Sequence, residues 1–149
     1  MRKVMIRKIQ VEDAPALKHI CETALGHTTT VDHLKQRIQE LSHDPCYCIA
    51  VCEDDAAHQV LGFIQAEKYN LLYGGNGINI IALAVSPEAQ RQGIGKQLLL
   101  FLEEQAAGHG DTFIRLNCNT VRTEAHAFYE HMGYTCDKTQ KRFIRQIGR

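Results

Sequence analysis

The 149-residue chain lacks the features that would place it at once among nucleic-acid-binding or membrane proteins. It has no net charge, because 17 basic residues balance 17 acidic ones, and neither sign forms a block. A nucleic-acid surface usually needs a basic patch, so we expect no nucleic-acid partner. No apolar run approaches the ~20 residues that span a bilayer. The charged N-terminus is also too short for a signal peptide. We therefore expect a cytoplasmic protein without membrane contact.

A disulfide framework is not expected either, although six cysteines are present. Without a secretory signal these residues are predicted to be reduced thiols. Cys46, Cys48 and Cys52 share parity on a predicted strand, so their side chains should face the same way. His43 lies nearby, but Cys-x-Cys lacks the usual spacing of a zinc site. We predict no metal site and interpret these cysteines as buried core thiols.

The length and the hydrophobic periodicity predict one mixed α/β (α+β) domain over residues 1–149, without repeats or linkers. About four helices are expected, beginning near residues 12, 31, 97 and 123. A last strand or strand pair should begin at Tyr134 and run through Phe143 and Ile147. This segment would bring the sheet to six or seven strands. The other five predicted strands cover residues 4–9, 46–52, 60–66, 78–85 and 112–118.

The most informative stretch is the apolar strand Ile78–Val85, which is followed by a glycine-bearing loop and then by a helix. Gly93 and Gly95 let a ligand approach the backbone, because neither residue has a Cβ. Backbone N–H groups at a helix N-terminus have no intrahelical partners, and the helix dipole favours a negative group there. The stretch therefore predicts an anion site, with phosphate as the expected ligand.

Two common phosphate motifs do not fit this loop. A P-loop would need glycine and serine or threonine where the chain has Gln90 and Gln97, and a dinucleotide fingerprint would need glycine at Leu98. The pattern that remains, Gln90-Arg-Gln-Gly-Ile-Gly95, resembles the pyrophosphate loop of the GNAT superfamily of acyl-CoA-dependent N-acetyltransferases.

A second resemblance lies in the predicted helix after residue 122. Ala125, Phe128, Tyr129 and Met132 have the spacing of an amphipathic helix, so Tyr129 could be an ordinary core residue. However, Ala-His-Ala-Phe-Tyr-Glu-His-Met-Gly-Tyr134, preceded by Arg122, resembles the last motif of the same superfamily. This motif also follows the pyrophosphate loop in the order and at the distance that are typical of the superfamily. Within the superfamily this stretch is most similar to small bacterial enzymes such as aminoalkylphosphonate N-acetyltransferases.

The resemblance implies a mostly antiparallel sheet with a splayed central strand pair, residues 78–86 and 112–119, and acetyl-CoA as cosubstrate. Asn119 would either contact the pantetheine arm or cap the next helix. Arg91 and Lys96 could add positive charge or remain surface cations. The implied pantetheine contacts are the backbone of Leu83, Ala84 and Val85. The implied pyrophosphate contacts are Arg91, Gln92, Gly93, Ile94, Gly95 and Lys96.

The resemblance also assigns the proton donor for the leaving thiolate to Tyr129. Many family members carry a carboxylate on the central strand, where this chain has Asn79 and Ala82, neither of which can accept a proton. Glu67, His27, His109 or a chain of waters remain as candidate bases, and no spacing selects among them. His126 is interpreted as a surface or capping residue, with a functional role as the alternative.

The expected reaction is direct transfer of an acetyl group to a primary amine of a small molecule or to an exposed amino group. The alternative is a non-catalytic acyl-CoA-binding or sensing domain, which the absence of a central carboxylate would suit. A homodimer is compatible with the family. In this fold the acceptor site would be shaped by the loops at 27–31 and 67–77. Its candidate residues are His27, Glu67, Tyr69, Tyr73 and Asn79.

Overall fold

A computed structural model describes residues 2–148 of the chain, which forms two compact units, Met1–Leu116 and Asn117–Arg149. The first unit holds a five-stranded sheet and three helices. The second holds one helix. The strands are β1 (Val4–Lys8), β2 (Tyr47–Asp54), β3 (Val60–Asn70), β4 (Asn76–Val85) and β5 (Phe113–Leu116). The helices are α1 (Ala14–Ala24), α2 (Val31–Ser42), α3 (Ile94–Gly108) and α4 (Thr123–His131).

The sheet has the strand order β1-β2-β3-β4-β5 and is antiparallel except at its last pair. β4 and β5 are parallel, which requires a long crossover connection between them. Helix α3 provides this crossover. The expected mixed, mostly antiparallel sheet is therefore confirmed, and β4 carries β3 on one side and β5 on the other.

Helices cover both faces of the sheet. A Cβ built on Gly62 of β3 would lie 3.2 Å from Ile94 and 3.3 Å from Leu98, so this face packs against α3. The next residue, Phe63, belongs to a buried cluster with Leu17 of α1. Because successive strand residues point to opposite faces, α1 and α3 lie on opposite sides of the sheet.

The starts of the helices follow from local sequence. Pro15 lies in the first turn of α1, where its missing N–H costs no hydrogen bond. Thr30 precedes α2, and its side chain accepts a hydrogen bond from the N–H of His33, as an N-cap residue should. In the second unit α4 ends before Gly133, whose φ of +94° is a conformation that glycine adopts readily.

The predicted last strand is wrong. Residues 135–148 contain no strand, so the sheet has five strands and not six or seven. All of these residues are exposed, including Phe143 at 89% and Ile147 at 87%. Alternating apolar residues favour a strand only where a neighbouring strand or a core covers them, and within the described segment nothing does.

The cysteines were only partly predicted. All six are free thiols, as expected. Cys52 is fully buried, and burial raises its pKa to about 11. Cys48 is half-buried, whereas Cys46 is exposed, so the core assignment of Cys46 is wrong. Cys46 precedes β2, which begins at Tyr47, and it therefore does not share the alternation of the strand. Within residues 2–148, no helix is long and apolar enough to cross a membrane.

Candidate acetyl-CoA and acceptor site

The loop between β4 and α3 has the backbone shape of an anion site. Arg91 and Gly93 both have positive φ, +63° and +79°, and Gly93 is the residue before the first turn of α3. The first intrahelical bond runs from the N–H of Gln97 to the carbonyl of Gly93. In the described chain no side chain caps this end. The N–H groups of residues 94–96 are therefore available to a negative ligand.

Buried residues on either side of Arg91 and Gly93 hold this loop against the core. Ala89 is 1% exposed and Ile94 is 2% exposed, so both are embedded in the core, whereas the Arg91 and Lys96 side chains lie at the surface. A Cβ placed on Gly93 would meet no atom within 4 Å, so the space beside its backbone is open. An open backbone, free N–H groups and two cations suit a phosphate or a pyrophosphate.

The strand before the loop has an unpaired edge. The pairing of β4 with β5 ends at Ile80 and Leu116, whereas β4 continues to Val85. Residues 81–85, which include Leu83, Ala84 and Val85, therefore have no β5 partner among the described residues. The other edge of residues 82–85 stays paired with β3, and Ile81 lies at an irregularity in that pairing. Extended ligands often bind such an edge as an added strand.

A row of polar side chains crosses the sheet just before the strands part. Glu67 of β3 is the register partner of Asn79 in β4, and Asn79 is the register partner of Arg115 in β5. The Asn79 amide nitrogen donates to Glu67 at 2.8 Å, and Arg115 donates to the Asn79 amide oxygen at 2.6 Å. The Arg115 guanidinium also lies 4.8 Å from the centre of the Tyr69 ring. Tyr69 therefore contacts this row.

Arg115 was not among the residues predicted from the sequence. Its position on a strand was expected, but its partners depend on the register of β5 against β4. Alternation alone shows that Arg115 shares a face with Phe113, and it does not show which residue of β4 lies opposite. The sequence signal that could have found it is that Arg115 is the one polar residue of the short apolar strand β5.

In the second unit, Tyr129 is half-buried on α4 between two aromatic rings. Its ring centre lies 5.1 Å from that of Phe128 and 5.9 Å from that of Tyr134. Burial raises the pKa of Tyr129 to about 12, and nearby Cys118 adds to this effect. Its hydroxyl therefore stays protonated at neutral pH, as a proton donor must.

Asn119 and His126 make a local turn before α4. The Asn119 side-chain oxygen accepts from the N–H of Val121 at 3.1 Å, and its carbonyl accepts from the N–H of Arg122 at 3.0 Å. A ring nitrogen of His126 lies 2.8 Å from the same carbonyl. These bonds stabilise the turn that precedes α4. In the described chain the N-cap residue of α4 is Arg122, and no side chain caps this helix, so Asn119 is not its cap.

The remaining candidates are more scattered. His27 lies exposed between α1 and α2, and Tyr73 is 89% exposed in the turn between β3 and β4. His109 follows α3 and borders a small cavity that Glu67 also lines. Within the described residues no group of His, Cys, Asp or Glu side chains could hold a metal ion.

In this mixed sheet β4 parts from β5 and leads through a loop to the uncapped N-terminus of α3, which is the arrangement of an α/β domain with a candidate anion site. The chain belongs to the Acetyltransferase (GNAT) family, which matches residues 5–134.

Similarity to individual proteins is more limited. Over 77 residues the chain is 38% identical to an aminoalkylphosphonate N-acetyltransferase of Salmonella typhimurium. The match spans 51% of this chain and 50% of that relative. The fold resembles that of a transcriptional regulator from Bacillus halodurans, with a TM-score of 0.86 and 20% identity. This match covers 96% of this chain and 100% of the regulator. It also resembles the fold of an aminoglycoside antibiotic 6'-N-acetyltransferase from Acinetobacter baumannii, with a TM-score of 0.80 and 18% identity. This match covers 98% of this chain and 100% of that protein.

Proposed function

We propose that the protein is an acetyl-CoA-dependent N-acetyltransferase that acetylates a primary amine of a small molecule. The observation that carries this proposal is the unpaired edge of β4, which leads directly into the uncapped N-terminus of α3. Acetyl-CoA has a pantetheine arm with two amides and a pyrophosphate, so its chemistry matches these two neighbouring features. When bound, it supplies an acetyl thioester.

Each part of this site has a defined task. The backbone of Leu83 and Val85 hydrogen-bonds the pantetheine amides as an added strand would. The N–H groups of residues 91–96, which include Gln92 and Gly95, hold the pyrophosphate, and Arg91 and Lys96 contribute positive charge. Asn119 already bonds its own turn, so any contact with pantetheine would use its amide nitrogen.

The chemistry requires two proton transfers. The acceptor must attack as a neutral amine, because an ammonium has no lone pair. The departing thiolate resembles a thiol with a pKa of about 8.5, so a proton donor assists its release. Tyr129 can donate this proton because its pKa of about 12 keeps it protonated.

The acceptor is proposed to be a small molecule that carries an amine and an anionic group. The partial match to an aminoalkylphosphonate N-acetyltransferase supports this class. The charged row of Glu67 and Arg115 also supports it. Release of free thiol from acetyl-CoA, measured with 2-aminoethylphosphonate, glucosamine 6-phosphate and an aminoglycoside, tests the activity.

Substitution of Tyr129 by Phe removes only the hydroxyl. If Tyr129 is the donor, kcat should fall by roughly ten- to ten-thousandfold while the protein remains folded. Unchanged turnover would make Tyr129 a packing residue. The absence of a carboxylate at Asn79 favours a second candidate function, acyl-CoA sensing without catalysis. Binding of acetyl-CoA by calorimetry, combined with no thiol release from any amine, would support that function instead.

A further inference from the structure

We propose that Glu67 is the carboxylate that receives the acceptor ammonium and takes its proton, and that Asn79 and Arg115 are positioning residues that orient it. This inference rests on the proposed N-acetyltransferase function. It adds a general base to that function, on β3 and not on β4. The juxtaposition that carries it is the hydrogen-bonded row Glu67–Asn79–Arg115 across three strands.

The row lies at the position where the chemistry is expected. Asn79 and Arg115 form the register pair immediately before Ile80 and Leu116, where β4 and β5 stop pairing. The pyrophosphate loop begins after Val85, six residues further along β4, a distance of ~20 Å in a strand. An extended arm held at the loop and laid along the open edge would therefore bring its thioester end toward this row.

Asn79 fixes the orientation of Glu67 because its side-chain amide has an oxygen that accepts hydrogen bonds and a nitrogen that donates them. Arg115 donates to the amide oxygen, and the amide nitrogen consequently points at Glu67. Only Oε2 of Glu67 receives that bond, and Oε1 has no hydrogen bond or ion pair among residues 2–148. A half-buried carboxylate with one oxygen held and the other available suits an incoming ammonium.

Few other ionisable groups surround Glu67. Its register partner on β2 is Tyr47, and its neighbour on β3 is the exposed Lys68. His109 and Asp111, which follow α3, border the cavity that Glu67 lines. None of them makes a hydrogen bond or an ion pair with Glu67, so Asn79 is its partner within the described chain.

The proton transfers balance. The acceptor ammonium gives one proton to the Glu67 carboxylate, and the freed lone pair forms the C–N bond as the C–S bond breaks. The sulfur leaves with the bonding electron pair as a thiolate, which takes up one proton to give the thiol. The second proton of the nitrogen is lost to solvent, and Glu67 returns its own proton to solvent. The products are the N-acetyl amine and free CoA thiol.

Two variants separate this role from a structural one. Glu67→Gln is nearly isosteric, and its amide oxygen can still accept from Asn79, so the fold should be unchanged. The double variant Glu67→Gln/Asn79→Asp reverses the row. The carboxylate then stands at position 79, where it accepts from Arg115 and from the amide introduced at position 67, and the total charge equals that of the natural protein. Glu104→Gln, on the exposed side of α3, is the matched control for loss of one carboxylate.

Activity is measured as thiol release with the best acceptor among the three probe amines named above. Glu67→Gln should lower kcat/KM by about 10²–10⁴-fold. Its remaining rate should rise about tenfold per pH unit, following the neutral fraction of an amine whose pKa is about 10. The double variant should recover at least tenfold of the loss, and Glu104→Gln should equal the natural protein. Unchanged kcat/KM in Glu67→Gln, or no recovery in the double variant, overturns the assignment.

A binding measurement keeps the inference distinct from the proposed function. Calorimetry with CoA present should show that Glu67→Gln binds the same amine about tenfold more weakly, because an ammonium–carboxylate contact is lost. If the natural protein releases no thiol with any probe amine, the proposed catalysis is refuted. The difference in amine affinity between the natural protein and Glu67→Gln then still tests whether Glu67 binds the amine. Equal affinity in both proteins, or no binding to either, overturns the proposed contact.

Discussion

Substituting Arg7 by Met removes a guanidinium that joins β1 to two other segments of the first unit. Arg7 donates to both oxygens of Asp13 at 2.9 and 2.8 Å, and it donates twice to Glu53 at 3.0 and 2.8 Å. Asp13 is only 5% exposed. In the variant this carboxylate would keep the bond from the N–H of Gln10, at 2.8 Å, and would lose its counter-charge. Met retains much of the apolar stem of Arg.

The size of the effect follows from the burial of the pair formed by Arg7 and Asp13. Removing one partner of a buried ion pair costs about 3–5 kcal/mol, because the other charge stays buried. The Arg7 side chain is 20% exposed, so water can reach the gap. We therefore expect the lower end, a loss of about 3 kcal/mol in the free energy of unfolding. For a chain of this size, the corresponding fall in Tm is about 6–12 °C.

The difference between the variant and the natural protein should also depend on pH. Hydrogen bonds from Arg7, and then from His58, hold the pKa of Glu53 below its ordinary value. A carboxylate whose pKa is lowered by folding stabilises the protein above its unfolded pKa of about 4.3. This stabilisation is lost as the pH falls through the folded pKa. The two proteins should therefore differ most near neutral pH and become more similar below about pH 4.

Thermal unfolding followed by circular dichroism at neutral and at acidic pH tests both statements. Arg37→Met is the control, because Arg37 pairs with Glu40 at 2.8 Å and both side chains are 46% exposed. A surface pair of this kind contributes less than about 1 kcal/mol. If Arg7→Met lowers Tm at neutral pH no more than Arg37→Met does, the buried-pair argument is refuted.

Three further predictions concern β4, the loop after it and the proposed proton donor. Gly77→Ala places a Cβ against the ring of Phe113 and should cost about 1–3 kcal/mol in chemical denaturation. Gly108→Ala, where the added Cβ meets nothing, should cost nothing and serves as its control. Gly93→Ala forces φ of +79° on a residue with a side chain, so KM for acetyl-CoA should rise severalfold while kcat changes little. Because the pKa of Tyr129 is about 12, its ionisation should produce no basic limb in kcat/KM below about pH 11. A basic limb near pH 9 that disappears in Tyr129→Phe would contradict this expectation.

The strand–loop–helix stretch could be predicted because its signals are local. Ile78–Val85 is apolar except for Asn79, Pro87 follows its end, and Gly93 stands where φ is positive. Each of these signals acts within a few residues and does not depend on the rest of the chain. Most of the predicted helices and the first five strands were recovered for the same reason, with boundaries displaced by a few residues.

The last strand could not be predicted from the same kind of signal. Phe143, Ile144 and Ile147 have the apolar character of a strand, yet all three are largely exposed. A strand becomes stable only when another strand accepts its hydrogen bonds and a core covers its apolar face. Whether such a neighbour exists is a property of the assembled sheet, and no residue between 135 and 148 encodes it locally.

The candidate base, Glu67, also depends on strand pairing that the sequence does not reveal. The family resemblance draws attention to position 79 on β4, which holds an amide in this chain. However, directly paired positions on neighbouring antiparallel strands have Cβ atoms only about 5 Å apart. Glu67 is 12 positions away in the sequence but directly opposite Asn79 in the sheet. A carboxylate on β3 can therefore lie close to the position that a carboxylate on β4 would occupy. In this chain Asn79 orients the Glu67 carboxylate, and Arg115 orients Asn79. The site then depends on the register of three strands, which is why a search for a carboxylate on β4 alone does not find it.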